Sequence, residues 1–251
     1  MSENRPYVLS IAGLDPTGGA GVLADVKTFE QHQVTGLAIS TANTIQTENQ
    51  FYDIQWTDLS FVIRSIETLF KNYKIKAVKI GIVPSLHYLN RILSTIKLLS
   101  PTTQIVWDPV LKSTTEFEFM NLNDDLCLFK ILSKIDLITP NYYETELLFP
   151  GFFSQEFWIK NKLTTTILLK GGHNPTKIGI DCLFLKTQII ELLPTDKNCS
   201  EKHGSGCVLS AAIASNLALN QTKKEACKNA KTYIEKYLSS TSTLIGYHYV
   251  Q

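Results

Sequence analysis

Short runs of unbroken apolar residues alternate along this chain with longer segments whose apolar residues recur every three or four positions. "YVLSIAG" (7–13), "LAISTAN" (37–43), "AVKIGIV" (77–83), "QIVWDPV" (104–110), "IDLITPN" (135–141) and "TTILLKGG" (165–172) read as strands. Val22, Leu23, Val26 and Phe29 predict a helix after the first. Leu59, Val62, Ile63, Ile66, Leu69 and Phe70 predict another, and Leu86, Leu89, Leu93, Ile96 and Leu99 a third. A helix is expected near 122–133, "DCLFLKT" and "QIIELL" read as a hairpin, and two helices follow at about 206–219 and 222–239. Strands alternating with helices imply βαβ units and a mainly parallel sheet; strands apolar throughout fit burial on both faces. With 251 residues and no repeat or linker, the expectation is one α/β domain over 1–251.

The charge balance excludes some partners. Lys and Arg number 24 against 23 Asp and Glu, giving a net charge of +1, and no basic run exceeds a pair such as Lys223-Lys224. Such a chain has no field for nucleic acid or an anionic membrane. No stretch approaches the roughly 20 apolar residues that span a bilayer. "MSENRPYVLS" lacks the pattern of a secretory signal, so a cytoplasmic protein is expected. Five cysteines without a C-x-x-C spacing argue against a disulfide framework or zinc site.

In sheets of this kind ligands sit beyond the carboxyl ends of the strands. There the sequence places "GLDPTGGAG" (13–21), "NTIQTEN" (43–49), Asp108 in "WDPV", Asn141 and Glu144 in "TPNYYE", and Lys170 in "LLKGGH". Each has a purely structural reading: glycine turns, an aspartate ending a strand before proline, an N-cap with its N3 partner. Together they suit phosphoryl transfer, which needs neutralised phosphate oxygens, a metal and an oriented nucleophile. Lys170 would meet phosphates as a point charge, and Asp108 and Glu144 would hold Mg²⁺ partly through its waters. The amides of Gly204, Ser205 and Gly206 would open a helix toward the moving anion. Cys207 follows them in "HGSGCVLSAAIA" (203–214); a helix N-terminus favours its thiolate, which would accept a hydroxyl proton. The alternative is a small residue packing a helix start. "GLDPTGGAG" lacks the Gly-Lys-Ser/Thr of a P-loop.

"SIAGLDPTGGAG", "ISTANTIQT", "KIGIV", "WDPV", "LITPNYYETELL", "LLKGGH" and "HGSGCVLSAAIA" resemble, in order and spacing, the hydroxymethylpyrimidine/phosphomethylpyrimidine kinases of thiamine biosynthesis, members of the ribokinase-like superfamily. The resemblance implies a three-layer α/β/α sandwich with a central, mostly parallel sheet, assembled as a homodimer. It implies two ATP-dependent phosphorylations of 4-amino-5-hydroxymethyl-2-methylpyrimidine, first to the monophosphate and then to the diphosphate. Gly13, Asp25, Gln46, Ile82 and Val110 would line the pyrimidine pocket. Lys170 and Ser205 would bind ATP, Asp108 and Glu144 the metal. Residues 204–206 would form the anion hole, and Cys207 would be the base. Leu14 stands where the family has a small polar residue, "LKSTTEFEF" (111–119) lacks the usual Lys-Ser-Gly, and residues 198–203 replace the usual lead-in to the last motif. A pyridoxal or pyridoxine kinase of the same superfamily and a non-catalytic pyrimidine-binding module are the alternative readings.

Overall fold

The computed structural model describes residues 5–112, 117–120, 128–154, 156–157, 163–172, 178–195 and 199–249. Its strands are β1 (Tyr7–Leu14), β2 (Thr35–Gln46), β3 (Phe51–Trp56), β4 (Ile75–Ile80), β5 (Gln104–Trp107), β6 (Leu137–Ile138), β7 (Thr166–Leu169), β8 (Asp181–Phe184) and β9 (Ile189–Leu192). They form one sheet in the order β3-β2-β1-β4-β5-β6-β7-β8-β9. The six strands from β2 to β7 pair in parallel, and β3, β8 and β9 pair antiparallel. The order reverses between β1 and β4, and that switch point is where such sheets open a ligand crevice.

Side chains alternate across the sheet, so each strand feeds two cores. Leu9, Ile11, Val78, Ile80, Ile105, Trp107, Ile138 and Ile167 face one way. Helices α2 (Leu59–Asn72), α3 (Leu86–Leu99), α4 (Leu128–Leu132) and α5 (Tyr142–Leu148) cover them. Val8, Ala77, Val106, Leu137 and Leu168 face the other way. There they meet α1 (Gly21–Gln31) and the two C-terminal helices, α6 (Ser205–Ala218) and α7 (Lys223–Leu238). This is the expected three-layer sandwich. Helix α6 is apolar on all sides and buried from Val208 to Ala218, as a helix wedged between α1, α7 and the sheet must be. Its alanines and serines let those neighbours approach closely.

One expectation needs correction. "NTIQ" belongs to β2, not to a loop after it, and it pairs with β3, which hydrophobic periodicity did not predict. The ribbon is half-exposed, so its mixed polar sequence looks like a loop. The helix near 122–133 is seen as Leu128–Leu132; residues 121–127 lie outside the described residues. No helix among the described residues is long and apolar enough to cross a membrane.

Candidate active site

Two positions beyond each apolar residue of the second core stands a polar one. Val8 is followed by Ser10, Ala77 by Lys79, Val106 by Asp108, Leu137 by Thr139 and Leu168 by Lys170. The two-residue period puts this polar row on the α1–α6 face, with Asp108, Thr139 and Lys170 just past the carboxyl ends of their strands and Ser10 and Lys79 still inside theirs. Ser10 and Lys79 are direct neighbours in the β1–β4 ladder.

The row bonds along itself. Lys170 Nζ lies 2.9 Å from Asp108 Oδ1, to which Thr139 Oγ1 also donates at 3.0 Å; Ser210 of α6 donates to Asp108 Oδ2 at 3.3 Å. Glu144 Oε2 is 3.8 Å from Lys170 Nζ. Asp108 is fully buried, which works to raise its carboxyl, but the charges of Lys170 and Lys79 outweigh burial and hold it below the usual range. Glu144 is different. Burial dominates over the nearby Lys170 and pushes its carboxyl up to about 7. Burial also works against the charged form of Lys170, but Asp108 and Glu144 keep the ammonium protonated, above its ordinary value.

Glu144 is also structural. Asn141 caps α5 and accepts from the Glu144 N–H at 2.9 Å, while Glu144 accepts from the Asn141 N–H at 2.7 Å. This capping box fixes the carboxyl at the strand edge. The structural reading of these two residues is therefore correct, and the same box aims Glu144 at Lys170.

The other half of the row is sealed. Asp25 of α1 is not exposed: it and Lys79 are both fully buried and lie 2.9 Å apart, and Ser10 Oγ also donates to Asp25 Oδ2. Asp25 Oδ1 has no hydrogen-bond partner among the described residues. We read the pair as ionised, because the Asp25 carboxylate more than offsets the burial of the Lys79 ammonium and keeps it protonated. Asp25 thus belongs to the polar row and not to the wall of an open pocket.

The remaining predicted pocket residues form a second group at the ends of β1, β2, β4 and β5. Gly13 touches Ile82, for a Cβ there would lie 2.5 Å from the Ile82 side chain. Thr41 Oγ1 donates to the Ile82 carbonyl. Gln46 Nε2 donates to Thr44 Oγ1, which donates in turn to the Leu14 carbonyl. Gln46, Ile82 and Val110 are half-buried.

Above both groups two glycine-rich loops are locked together by a residue that the motif reading did not single out. Asp15 Oδ1 accepts from the Thr17 N–H at 2.9 Å. Asp15 Oδ2 meets Thr17 Oγ1 (2.8 Å), the Ala20 N–H (2.9 Å) and His203 Nε2 (2.8 Å). Burial would raise this carboxyl, but the bonds from His203 and Thr17 hold it below its ordinary value. Gly204, at φ +73°, packs so tightly that a Cβ would come 2.0 Å from the Gly19 carbonyl oxygen. That glycine serves loop-to-loop packing and a left-handed turn into α6. Gly206 faces the charges: a Cβ there would lie 3.3 Å from Lys170 Nζ and 3.4 Å from Asp108 Oδ2. Ser205 begins the helix beside it and is half-buried.

Cys207 sits in the first turn of α6, half-buried, and it corrects one expectation. Burial raises its thiol above the ordinary value. Lys79 pulls it down, Asp25 and Asp108 push it up again, and the Gly21 amide at the start of α1 lowers it. The helix terminus does not make a thiolate at rest, because desolvation outweighs it. No cluster of three His, Cys, Asp or Glu suited to a metal exists among the described residues. Asp108 and Glu144 still fit a Mg²⁺ held through its own waters: with Glu144 ionised, two carboxylates flank a single ammonium, and their oxygens are already engaged.

A cleft of about 470 Å³ lined by Lys74, Lys76, Gln104, Asn220 and Lys223 lies far from this chemistry, at the opposite ends of the strands. The charged row, and not cavity size, marks the site. The altered loops at 111–119 and 198–203 lie partly outside the described residues.

Known proteins resemble this chain in sequence and in fold. The family described as phosphomethylpyrimidine kinase matches residues 15–250. Over 244 residues the chain is 30% identical to the hydroxymethylpyrimidine/phosphomethylpyrimidine kinase of Aquifex aeolicus (strain VF5), covering 94% of this chain and 95% of that protein. Several longer curated relatives are matched over about a third to a half of their own length. A solved phosphomethylpyrimidine kinase from Clostridium difficile 630 has a TM-score of 0.75 at 28% identity, covering 92% of this chain and 98% of that one. A pyridoxal kinase from Staphylococcus aureus, solved with pyridoxal, has a TM-score of 0.79 at 23% identity, covering 98% and 93%; at that identity the likeness is of fold alone. Matched over nearly its whole length by that family, and 30% identical to a relative covered almost end to end, the chain belongs to the phosphomethylpyrimidine kinase family.

Proposed function

We propose that the chain transfers the outer phosphoryl group of ATP to the hydroxymethyl oxygen of 4-amino-5-hydroxymethyl-2-methylpyrimidine, and then a second one to the monophosphate, giving the diphosphate for thiamine biosynthesis. One observation carries this reading: Asp108, Lys170 and the start of α6 meet within a few ångströms, and Cys207 lies in the same helical turn. Family membership and the names of the relatives support the substrate.

In this reading Lys170 sits against ATP phosphate, its charge secured by Asp108. The amides of Gly204, Ser205 and Gly206 steady the charge of the phosphoryl group in flight. Mg²⁺, bound near Asp108 and Glu144, supplies neutralisation of phosphate oxygens. Gly13, Gln46, Ile82 and Val110 enclose the ring, with Gln46 able to donate and accept at its edge. Cys207 takes the hydroxyl proton as the oxygen attacks phosphorus; Cys–S⁻ becomes Cys–SH, and ADP leaves. A thiol whose pKa lies above its usual value is a stronger base once ionised.

The single nine-stranded sheet among the described residues supports one domain over 1–251, and in this reading the chain works as a cytoplasmic homodimer, the dimer being what the resemblance implies. The test is a panel of hydroxymethylpyrimidine, its monophosphate, pyridoxal and pyridoxine with Mg·ATP, following ADP and phosphorylated product. Two ADP per hydroxymethylpyrimidine are expected. Faster turnover of pyridoxal with an inert monophosphate would replace this reading by a vitamin B6 kinase. No ADP with any substrate would leave a binding module.

A further inference from the structure

Away from the charged row, three buried ionisable side chains gather near the sheet edge: Asp181, the first residue of β8, and Lys231 and Glu235 on α7. None has a part in the chemistry just described. Burying such groups is costly unless their geometry is good. Lys231 Nζ lies 2.9 Å from Asp181 Oδ2, donates to the Gly179 carbonyl at 2.8 Å and stands 3.6 Å from Glu235 Oε1. So held, Asp181 turns its other oxygen to the neighbouring loop, where Oδ1 accepts from the Gly171 N–H at 2.7 Å. Gly171 directly follows Lys170.

The backbone at Lys170 is thereby gripped from two sides. Its own N–H donates to the Pro140 carbonyl at 2.9 Å, after β6, and the next N–H is taken by Asp181 of β8. The Gly171 carbonyl accepts from the Gly179 N–H at 3.0 Å. There is no slack in the packing: a Cβ on Gly171 would lie 2.1 Å from the Ile180 carbonyl oxygen. The side chain rooted between the two grips carries the ammonium that lies 2.9 Å from Asp108. We propose that Asp181, anchored by Lys231, is a positioning residue that fixes the peptide from which Lys170 is presented, a role that rests on Lys170 meeting ATP phosphate. A clamp serving the sheet edge alone would alter stability and leave folded molecules equally active. A positioning residue must act through Lys170.

The test is a double-mutant cycle read as kcat/KM for ATP, with urea unfolding to establish that each variant is folded and calorimetry for the pyrimidine. Asp181→Ala is expected to lower kcat/KM for ATP by about 100-fold, as a displacement of about 1 Å would. In a Lys170→Met chain the same substitution should cost less than about threefold, since the group it positions is gone. Pyrimidine affinity should stay within about twofold. If Asp181→Ala does not fold, Asp181→Leu/Lys231→Met takes its place, because apolar side chains of similar volume often replace a buried ion pair without loss of stability. That variant also lacks the acceptor for the Gly171 N–H, and should show the same loss with the same dependence on Lys170. A folded variant that keeps kcat/KM for ATP within about threefold, or losses that multiply in the Lys170→Met chain, would overturn the proposal. Full activity of Lys170→Met by itself would overturn the reading of Lys170, and the positioning role with it.

Discussion

Replacing Asp15 by alanine removes a carboxylate that four donors share: the Thr17 N–H and hydroxyl, the Ala20 N–H and His203 Nε2. Hydrogen bonds to a charged group contribute about 1.5–3 kcal/mol each. These four share two oxygens, and Thr17 and Ala20 are only half-buried, so the sum is not additive. We expect Asp15→Ala to cost about 3–5 kcal/mol. Asp15→Asn can keep its oxygen toward Thr17 Oγ1, Ala20 and His203, turning an NH₂ on the Thr17 N–H alone; its cost should be about 1–2 kcal/mol. The functional loss follows from geometry. The link from Asp15 to His203 holds the loop in which Gly204 abuts Gly19, and that loop aims the start of α6. A shift of about 1 Å in such a positioning group can cost about 100-fold in rate. The assays are urea unfolding at pH 7.5 and kcat at saturating Mg·ATP. If Asp15→Ala were destabilised by less than about 1 kcal/mol and kept kcat within about threefold, the two loops would not be coupled in this way.

Four further outcomes follow. Glu144 carries a carboxyl raised to about 7, so the folded chain holds a proton that the unfolded chain releases from about pH 4.5. That contribution is fully present at low pH and fades as pH rises through 7; Glu144→Gln should remove the loss, worth up to about 3 kcal/mol, in unfolding measured from pH 5 to 8. Because burial keeps the Cys207 thiol above its usual value, kcat should climb by up to about tenfold per unit between pH 7 and 9, and a flat profile would contradict a thiolate base. Gly204→Ala combines a left-handed backbone with a backbone clash at Gly19, and should cost about 2–5 kcal/mol in urea unfolding. Lys170→Met should raise KM for ATP and lower kcat by about 100-fold or more, while leaving pyrimidine binding by calorimetry unchanged.

Much of the architecture was legible because buried parallel strands announce themselves as apolar runs. The β2–β3 ribbon did not, since residues 43–46 and 51–56 are half-exposed and carry mixed side chains. At the site, Asp108, Glu144, Lys170 and Cys207 were found because they break the pattern just past a strand or at a helix start. Lys79 and Ser10 lie inside strands, where a lone polar residue was absorbed into an apolar reading. The signal existed: a polar residue two places after a buried one in several strands points to a charged row on one face. Asp15 was hidden within a glycine turn, because its partner His203 is 188 residues away. The protonation of Cys207 was beyond the sequence, since it depends on burial, on three side chains and on a backbone amide from other parts of the chain.

The sharpest test is a quenched single-turnover comparison of the intact chain and Cys207→Ala with Mg·ATP and hydroxymethylpyrimidine, with pyrimidine affinity taken by calorimetry. The account predicts that phosphoryl transfer slows by about 100-fold or more, the usual contribution of a general base, while affinity changes by less than about threefold. An alanine variant that phosphorylates the pyrimidine at the rate of the intact chain would contradict it.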